Sequence, residues 1–262
     1  SSDVCSSDLE QGPIPAGIKL GPGCGDNAGA ALGLEMGVGD VSISIGTSGV
    51  VAAVIGTPAG DPTGTLAGFA SATDSFLPLA VTLNGSQTLD KMRELLNVDY
   101  AEFDRLALAG TPGAGGMTLV PYYQGERTPN LPRATASLLG MTLTGTTREN
   151  LARAAVEGLL SALADGMDAF VEQGLAVEKI LLIGGGAASA AVQQIAPEIF
   201  GQDVWIPEPG EYVANGAARQ AAWLALGELP TWDVSNARKV SAGSQSEIRE
   251  AYGKRRHLYV EQ

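Results

Sequence analysis

The chain has 262 residues and a formal net charge of −13; 45% are hydrophobic and 17% charged. That length and composition suit one large or two small globular domains with a sizeable core, and exclude a disordered chain. The acidic balance argues against nucleic acid or an anionic membrane as partner, and no apolar run reaches the roughly 18 residues of a spanning helix.

Residues 1–9 carry Ser-Ser-Asp twice and resemble nothing else in the chain. They have no apolar period and cannot bury a face. They read as foreign, in the form of translated sequencing-adapter read-through. That makes the rest the C-terminal piece of a longer protein, with the domain proper at 10–227. Residues 22–25 form a Gly-rich turn. Asp26 or Asn27 is expected to cap a helix running to residue 36. Residues 40–45 alternate with period two and 50–55 are more apolar, so the two read as a hairpin whose tip is Gly46, Thr47, Ser48 and Gly49.

Further on, a strand is expected at 76–83. A helix follows at 86–97, with Leu89, Met92, Leu95 and Leu96 on one face. Another strand covers 117–120, then a Pro-rich polar loop covers 121–132. The longest helix starts in a capping box, Thr146 with Glu149, and stops at Gly174. Its Ala154, Ala155, Gly158 and Ala162 leave a small face against which another element can pack closely. The run at 179–183 reads as a buried strand, followed by Gly184, Gly185, Gly186 and Ala187 and a helix at 189–200. A short strand at 203–207, an Ala-rich helix at 213–226, and a more polar tail at 228–262 of the same domain complete the chain. The tail ends in a helix near 247–256. Hairpins followed by alternating helix and strand indicate a layered α/β domain.

Scarcity excludes several chemistries. The single histidine, His257, lies six residues from the C-terminus, which leaves no ordinary Ser-His-Asp or Cys-His site and too few ligands for a usual zinc site. Cys5 and Cys24 make no disulfide framework, and there is no basic start or apolar signal segment, so a cytoplasmic setting is expected. No Walker A pattern and no metal site are read from the sequence.

Three glycine-centred motifs carry the chemistry that remains. Gly23 to Ala28 formally fits the relaxed dinucleotide pattern GxGxxA, but it lacks a preceding strand, and Asp26 would put a carboxylate into a pyrophosphate site. A carboxylate among close-approach glycines, with Gly25 and Asn27 beside it, is better suited to take a proton from a substrate hydroxyl. The tip at 46–49 offers backbone N–H groups and two hydroxyls to phosphate oxygens. The turn at 184–187 opens a helix whose N-terminus offers free N–H groups to an anion.

The order and spacing of these motifs resemble the C-terminal half of the FGGY carbohydrate kinases. Residues 119–129, Leu-Val-Pro-Tyr-Tyr-Gln-Gly-Glu-Arg-Thr-Pro, resemble that family's PY..GERTP segment in the form its xylulokinases carry. Residues 21–34, 113–130 and 148–168 look most like xylulokinases of high-GC Gram-positive bacteria. The resemblance implies an α/β domain of the actin/hexokinase/Hsp70-like ATPase type, built on a ribonuclease H-like motif, the second of a sugar kinase's two domains. It implies Asp26 as general base toward a pentulose hydroxyl, O5 for D-xylulose. It implies Gly46, Thr47, Ser48 and Gly49 on ATP phosphates, with Mg²⁺ bridging them. Gly184, Gly185, Gly186, Ala187 and Asn215 then lie on the adenosine side. Relatives often carry Arg-Ser after the last turn, where this chain has Ala188-Ser189, so no contact is assigned at 188. The family's N-terminal domain forms the other wall of the substrate cleft, and without it the 262 residues are expected to be inactive or nearly so.

Some alternatives stay open. Ribulokinase, gluconokinase or glycerol kinase specificity fits the same motifs. So does a non-catalytic actin-like nucleotide-binding module. Asn215 with Gly216 can meet either the nucleotide or a neighbouring helix. Glu126 and Arg127 can meet the sugar or the other domain, or form a structural ion pair. Cys24 is expected to be structural, His257 a solvated tail residue, and Lys254, Arg255 and Arg256 a solvated helix face.

Overall fold

The computed structural model describes residues 5–6, 17–58, 60–232, 236–241, 243 and 245–259. The expectation for residues 1–9 therefore lies outside the described residues, except for a two-residue strand. In chain order the elements are β1 (Cys5–Ser6), β2 (Lys19–Leu20), α1 (Asp26–Gly33), β3 (Asp40–Ile45), β4 (Gly49–Ala53), β5 (Leu79–Thr82), α2 (Gln87–Leu96), α3 (Tyr100–Ala109), β6 (Thr118–Val120), β7 (Ser137–Leu139), α4 (Arg148–Glu172), β8 (Lys179–Ile183), α5 (Ala190–Phe200), β9 (Val204–Ile206), α6 (Tyr212–Leu226), β10 (Arg238–Val240) and α7 (Ser246–Arg256).

Six strands form the main sheet, in the order β10-β9-β8-β3-β4-β5. The hairpin β3–β4 and its neighbour β5 are antiparallel, whereas β8 runs parallel to β3, with Ile43 opposite Leu182, and β9 runs parallel to β8. Period-two alternation sends Val41, Ile43 and Ile45 to one face. There they join Ile180, Leu182 and Val204 in the main core, under α4 and α5. α2 and α3 complete that side through Leu89, Met92, Phe103 and Leu106. The small face of α4 has its neighbour: a Cβ on Gly158 would stand 2.3 Å from the Leu119 carbonyl of β6.

The opposite face of the sheet meets α1 through Ala28 and Ala31, and Leu34 and Tyr212 pack on Leu181 and Ile183. α6 then lies on α1 almost backbone to backbone. A Cβ on Gly216 would be 1.9 Å from the Gly29 carbonyl, and one on Gly33 would be 2.1 Å from that of Tyr212. Between the two readings of Gly216, this is close helix packing.

Several expectations shift. α1 ends at Gly33, and Gly25 occupies the cap position without a side-chain bond, so Asp26 is the first helical residue. The α4 cap is Thr147, which accepts from Asn150 N, whereas Thr146 Oγ1 donates to the Thr142 carbonyl. Leu95 is exposed, because its position on α2 falls outside the arc made by Leu89 and Met92. Helix α3 and strands β7 and β10 were not anticipated. The basic run near the C-terminus is not a solvated face. Arg255 donates to the Gly116 carbonyl and Thr118 Oγ1, and Arg256 pairs with buried Asp165 at 3.1 Å, while Lys254 and His257 are exposed.

Candidate functional site

Helix α1 starts with its first residues at the surface of the open sheet face. Asp26 is exposed, and its Oδ1 accepts from Asn27 N (2.8 Å) and Asn27 Nδ2 (3.2 Å). Among the described residues Oδ2 accepts no hydrogen bond. The Gly-rich turn before it is held by α6: Gln220 Oε1 accepts from Gly23 N at 3.1 Å. The adjacent residue of α6, Arg219, donates to the Leu32 carbonyl (2.7 Å) and pairs with Glu35 (2.9 Å), which fixes the other end of α1. Exposed Cys24 packs beside α1, with its Sγ 3.6 Å from where a Cβ on Gly29 would lie, and partial burial pushes its thiol pKa up.

The hairpin tip at 46–49 leaves Thr47 and Ser48 exposed while Gly49 is buried. A Cβ on Gly49 would meet Leu163 and Thr82, both at 2.5 Å, so glycine is required where the tip crosses the core. Backbone bonds hold the tip from behind: Gly46 N donates to the Ser48 carbonyl, Gly85 N to that of Thr47 (2.9 Å), and Ser86 N to that of Gly46 (2.7 Å).

The turn at 184–187 sits at the C-terminal end of β8. A Cβ on Gly184 would be 2.7 Å from the Ile45 carbonyl and one on Gly186 2.4 Å from Ile45 Cγ2, so these two glycines let the turn lie against the end of β3. At Gly185 a Cβ would meet nothing within 4 Å, which makes it the glycine that faces open space. The expected free helix N-terminus is not free. Asp104 Oδ2 accepts from Ala190 N (2.8 Å), Asp104 Oδ1 accepts from Ser189 Oγ (2.5 Å), and Ser189 Oγ caps Val192 N. An internal carboxylate already answers the helix dipole there, and it would repel a phosphate.

A cavity of about 760 Å³ collects much of this. Its lining includes Asp26, Asn27, Ser42, Ser44, Gly184, Gly185 and Ala187. Asp26, Glu208 and Glu211 are its carboxylates and Arg238 its guanidinium, so the lining is net acidic. A second cavity of about 380 Å³ lies across the same turn, between Gly185, Gly186 and Ser189 on one side and Arg93, Tyr100 and Asp104 of α2 and α3 on the other. The turn therefore separates two spaces that meet at Gly185 and Ala188. Asn215 is exposed on α6 and lines neither cavity.

The segment 121–132 is not simply a polar loop. Glu126 is buried, 1% exposed, and Arg127 is exposed, so the two form no ion pair. Instead the Glu126 carboxylate accepts from Leu83 N (2.6 Å), Asn84 Nδ2 (2.9 Å) and Arg127 N (2.8 Å). Burial pushes its pKa up, against the pull of those donors. Glu126, Gln220, Arg219 and Asp104 are the residues around the site whose contacts the sequence reading missed. For Gln220 and Arg219 the available signal was a polar pair in a helix otherwise rich in Ala.

The chain is similar to known proteins in sequence and fold. Residues 41–225 match the C-terminal domain of the FGGY family of carbohydrate kinases. The xylulose kinase of Streptomyces rubiginosus is 42% identical over 224 residues, which cover 85% of this chain and 45% of that protein. The crystal structure of xylulose kinase from Bifidobacterium adolescentis is similar at a TM-score of 0.85 and 53% identity, over 93% of this chain and 49% of that one. Plasmodium falciparum glycerol kinase with ADP has the same fold, at a TM-score of 0.79 and 18% identity. The chain spans about half the length of the relatives it matches.

Proposed function

This chain belongs to the FGGY family of carbohydrate kinases and has their actin/hexokinase-like ATPase fold; from that premise we propose that it forms the nucleotide-binding half of an enzyme that phosphorylates D-xylulose at O5 with ATP. The observation that carries the reading is that Asp26 and the 184–187 turn line one cavity on the open face of the sheet. Asp26 takes the proton of the attacking hydroxyl, with Gly25 and Asn27 at its sides. The hydroxyl oxygen bonds to the γ-phosphorus as the bond to ADP breaks. Gly46, Thr47, Ser48 and Gly49 hold the phosphates. Gly184, Gly185, Gly186 and Ala187 lie along the nucleoside, with Asn215 beyond them on α6.

The acidic lining bears on the metal. A triphosphate entering beside Asp26, Glu208 and Glu211 needs its charge offset, and Mg²⁺ carried mainly on phosphates needs only one or two protein carboxylates. The residues present fit that ion, which supplies charge neutralisation when bound. The naming of the relatives supports the pentulose, and the family's other members make gluconate and glycerol the natural competitors.

Orientation of two substrates needs two walls, and about half of each relative has no counterpart in these 262 residues. The 262-residue chain alone is therefore expected to bind MgADP without turning over sugar. The test is ADP release by the full-length gene product with D-xylulose, D-ribulose, gluconate and glycerol. The highest kcat/KM is expected for D-xylulose. Preference for gluconate or glycerol would overturn the substrate, and MgADP binding without turnover on any sugar would leave a nucleotide-binding module.

A further inference from the structure

We propose that Glu126 is a positioning residue for the phosphate-binding turn at 46–49, acting through the segment that joins β5 to α2. The proposal rests on the reading of that turn as the ATP-phosphate site.

A carboxylate removed from water is costly unless several donors meet it. Several donors meet Glu126, and two come from consecutive residues, Leu83 N and Asn84 Nδ2. Asn84 is itself fully buried, and its Nδ2 also donates to the Gly125 carbonyl at 2.8 Å. The next two residues are the ones that hold the turn: Gly85 N and Ser86 N donate to the carbonyls of Thr47 and Gly46. The joint is closely fitted. A Cβ on Gly85 would stand 2.3 Å from the Gly46 carbonyl oxygen and 2.6 Å from that of Ser48. Four consecutive residues thus connect one buried carboxylate to the carbonyls of the turn read as the phosphate site. Hydrogen bonds to an ionised acceptor are shorter and roughly twice as strong as neutral ones, which suits an anchor that must not slip. A shift of a few tenths of an ångström in residues 83–86 passes directly to the turn, and sites of this kind need their groups within about 0.5 Å.

The experiment is done on the full-length gene product with three variants, Glu126→Ala, Glu126→Gln and Gly85→Ala. MgADP affinity is measured by calorimetry, and KM is measured for ATP and for the sugar. Glu126→Ala is expected to weaken MgADP binding and raise the ATP KM about tenfold or more, while the sugar KM stays within about twofold. Glu126→Gln keeps an acceptor for the Leu83 and Arg127 N–H groups but sets an amide N–H against Asn84 Nδ2, so it should restore part of the affinity. Gly85→Ala should reproduce the defect from the turn side. Glu157→Gln, at a buried carboxylate in α4 remote from the turn, serves as control: its melting temperature moves and its MgADP affinity does not. If Glu126→Ala does not fold, Gly85→Ala decides the matter. Nucleotide affinity equal to wild type in folded Glu126→Ala, or in Gly85→Ala where Glu126→Ala does not fold, overturns the proposal alone, as does a sugar KM that rises in step. A wild-type protein that binds no nucleotide overturns the kinase reading and this proposal with it.

Discussion

The two faces of the six-stranded sheet are built on different terms. Under α4 the contacts are side chain on side chain: Ile43, Ile45, Leu159, Leu160, Leu163 and Ile180 are fully buried in the main core. On the other face α1 and α6 touch through glycine backbone, and beside them the sheet looks onto the open cavity through Ser42 and Ser44. Close packing of branched side chains supplies stability without direction, since any shape that fills the space will serve. Backbone-to-backbone contact supplies little apolar area but fixes where a helix end, and so Asp26, stands. The comparison implies that substitutions on the closed face change stability and those on the open face change chemistry or geometry.

Asp26→Asn gives the largest expected effect and sits wholly on the open side. Loss of a general base costs about 10²–10⁴ in rate, so kcat in the full-length enzyme should fall by that factor. Exposed Asp26 makes no hydrogen bond or ion pair beyond Asn27 among the described residues, so urea-measured stability should stay within about 0.5 kcal/mol. A kcat loss below tenfold would place the base elsewhere. Leu159→Ala is the mirror experiment on the closed side. Leu159 is 0% exposed in the centre of α4, and such truncations cost about 2–5 kcal/mol. MgADP affinity of the folded variant should not change; if it does, the faces are not independent.

Gly216→Ala tests the joint between α1 and α6. The new Cβ would fall 1.9 Å from the Gly29 carbonyl, a backbone atom that cannot swing aside. Overpacking of this kind costs about 1–3 kcal/mol, against up to about 1 kcal/mol gained from alanine's helix propensity. The net loss should be visible in urea melts, with kcat reduced because the joint positions Asp26. A stabilised, fully active variant would mean that α1 and α6 do not pack in this way.

The same comparison explains what could be read from the sequence. The hairpin β3–β4, strand β8 and helices α4, α5 and α6 were legible because each carries its own period or an unbroken apolar run over enough residues to show it. Helix α3 buries only Phe103, Leu106 and Ala107, little more than one turn of signal, although Asp99 capping Glu102 N marked its start. Strands β7 and β10 have three residues each, too few to show a period. Asp26 could be proposed as a site residue from the sequence because its motif is local. Its place as first helical residue rather than cap was not legible, since helix ends blur by one or two positions. The links that hold the site, Gly23 to Gln220, Leu83 to Glu126 and Ser189 to Asp104, join residues 197, 43 and 85 positions apart. No local pattern encodes such pairs.

A further prediction lies on the closed face, where one buried carboxylate should give stability a pH dependence. Glu157 accepts from Arg153 Nε (2.6 Å) and Gly113 N (2.9 Å), and Arg153 also pairs with Glu198. Burial pushes the Glu157 pKa up to about 7, against the pull of Arg153 and Gly113 and with some help from the Glu198 charge. The folded protein then binds this proton more tightly than the unfolded chain, whose glutamate titrates near 4.3. The stabilisation is complete below that lower value and is lost as pH rises through 7, at up to about 1.4 kcal/mol per pH unit between the two. Burial also raises the pKa of Asp165 and Glu126, so the wild-type slope has several sources, and the comparison must be with a variant. Glu157→Gln removes this proton alone. Urea melts at pH 5.0 to 7.5 should show wild-type stability falling more steeply with pH than the variant's. Parallel curves would mean that Arg153 keeps Glu157 ionised throughout, so that the closed face carries a permanent ion pair rather than a proton.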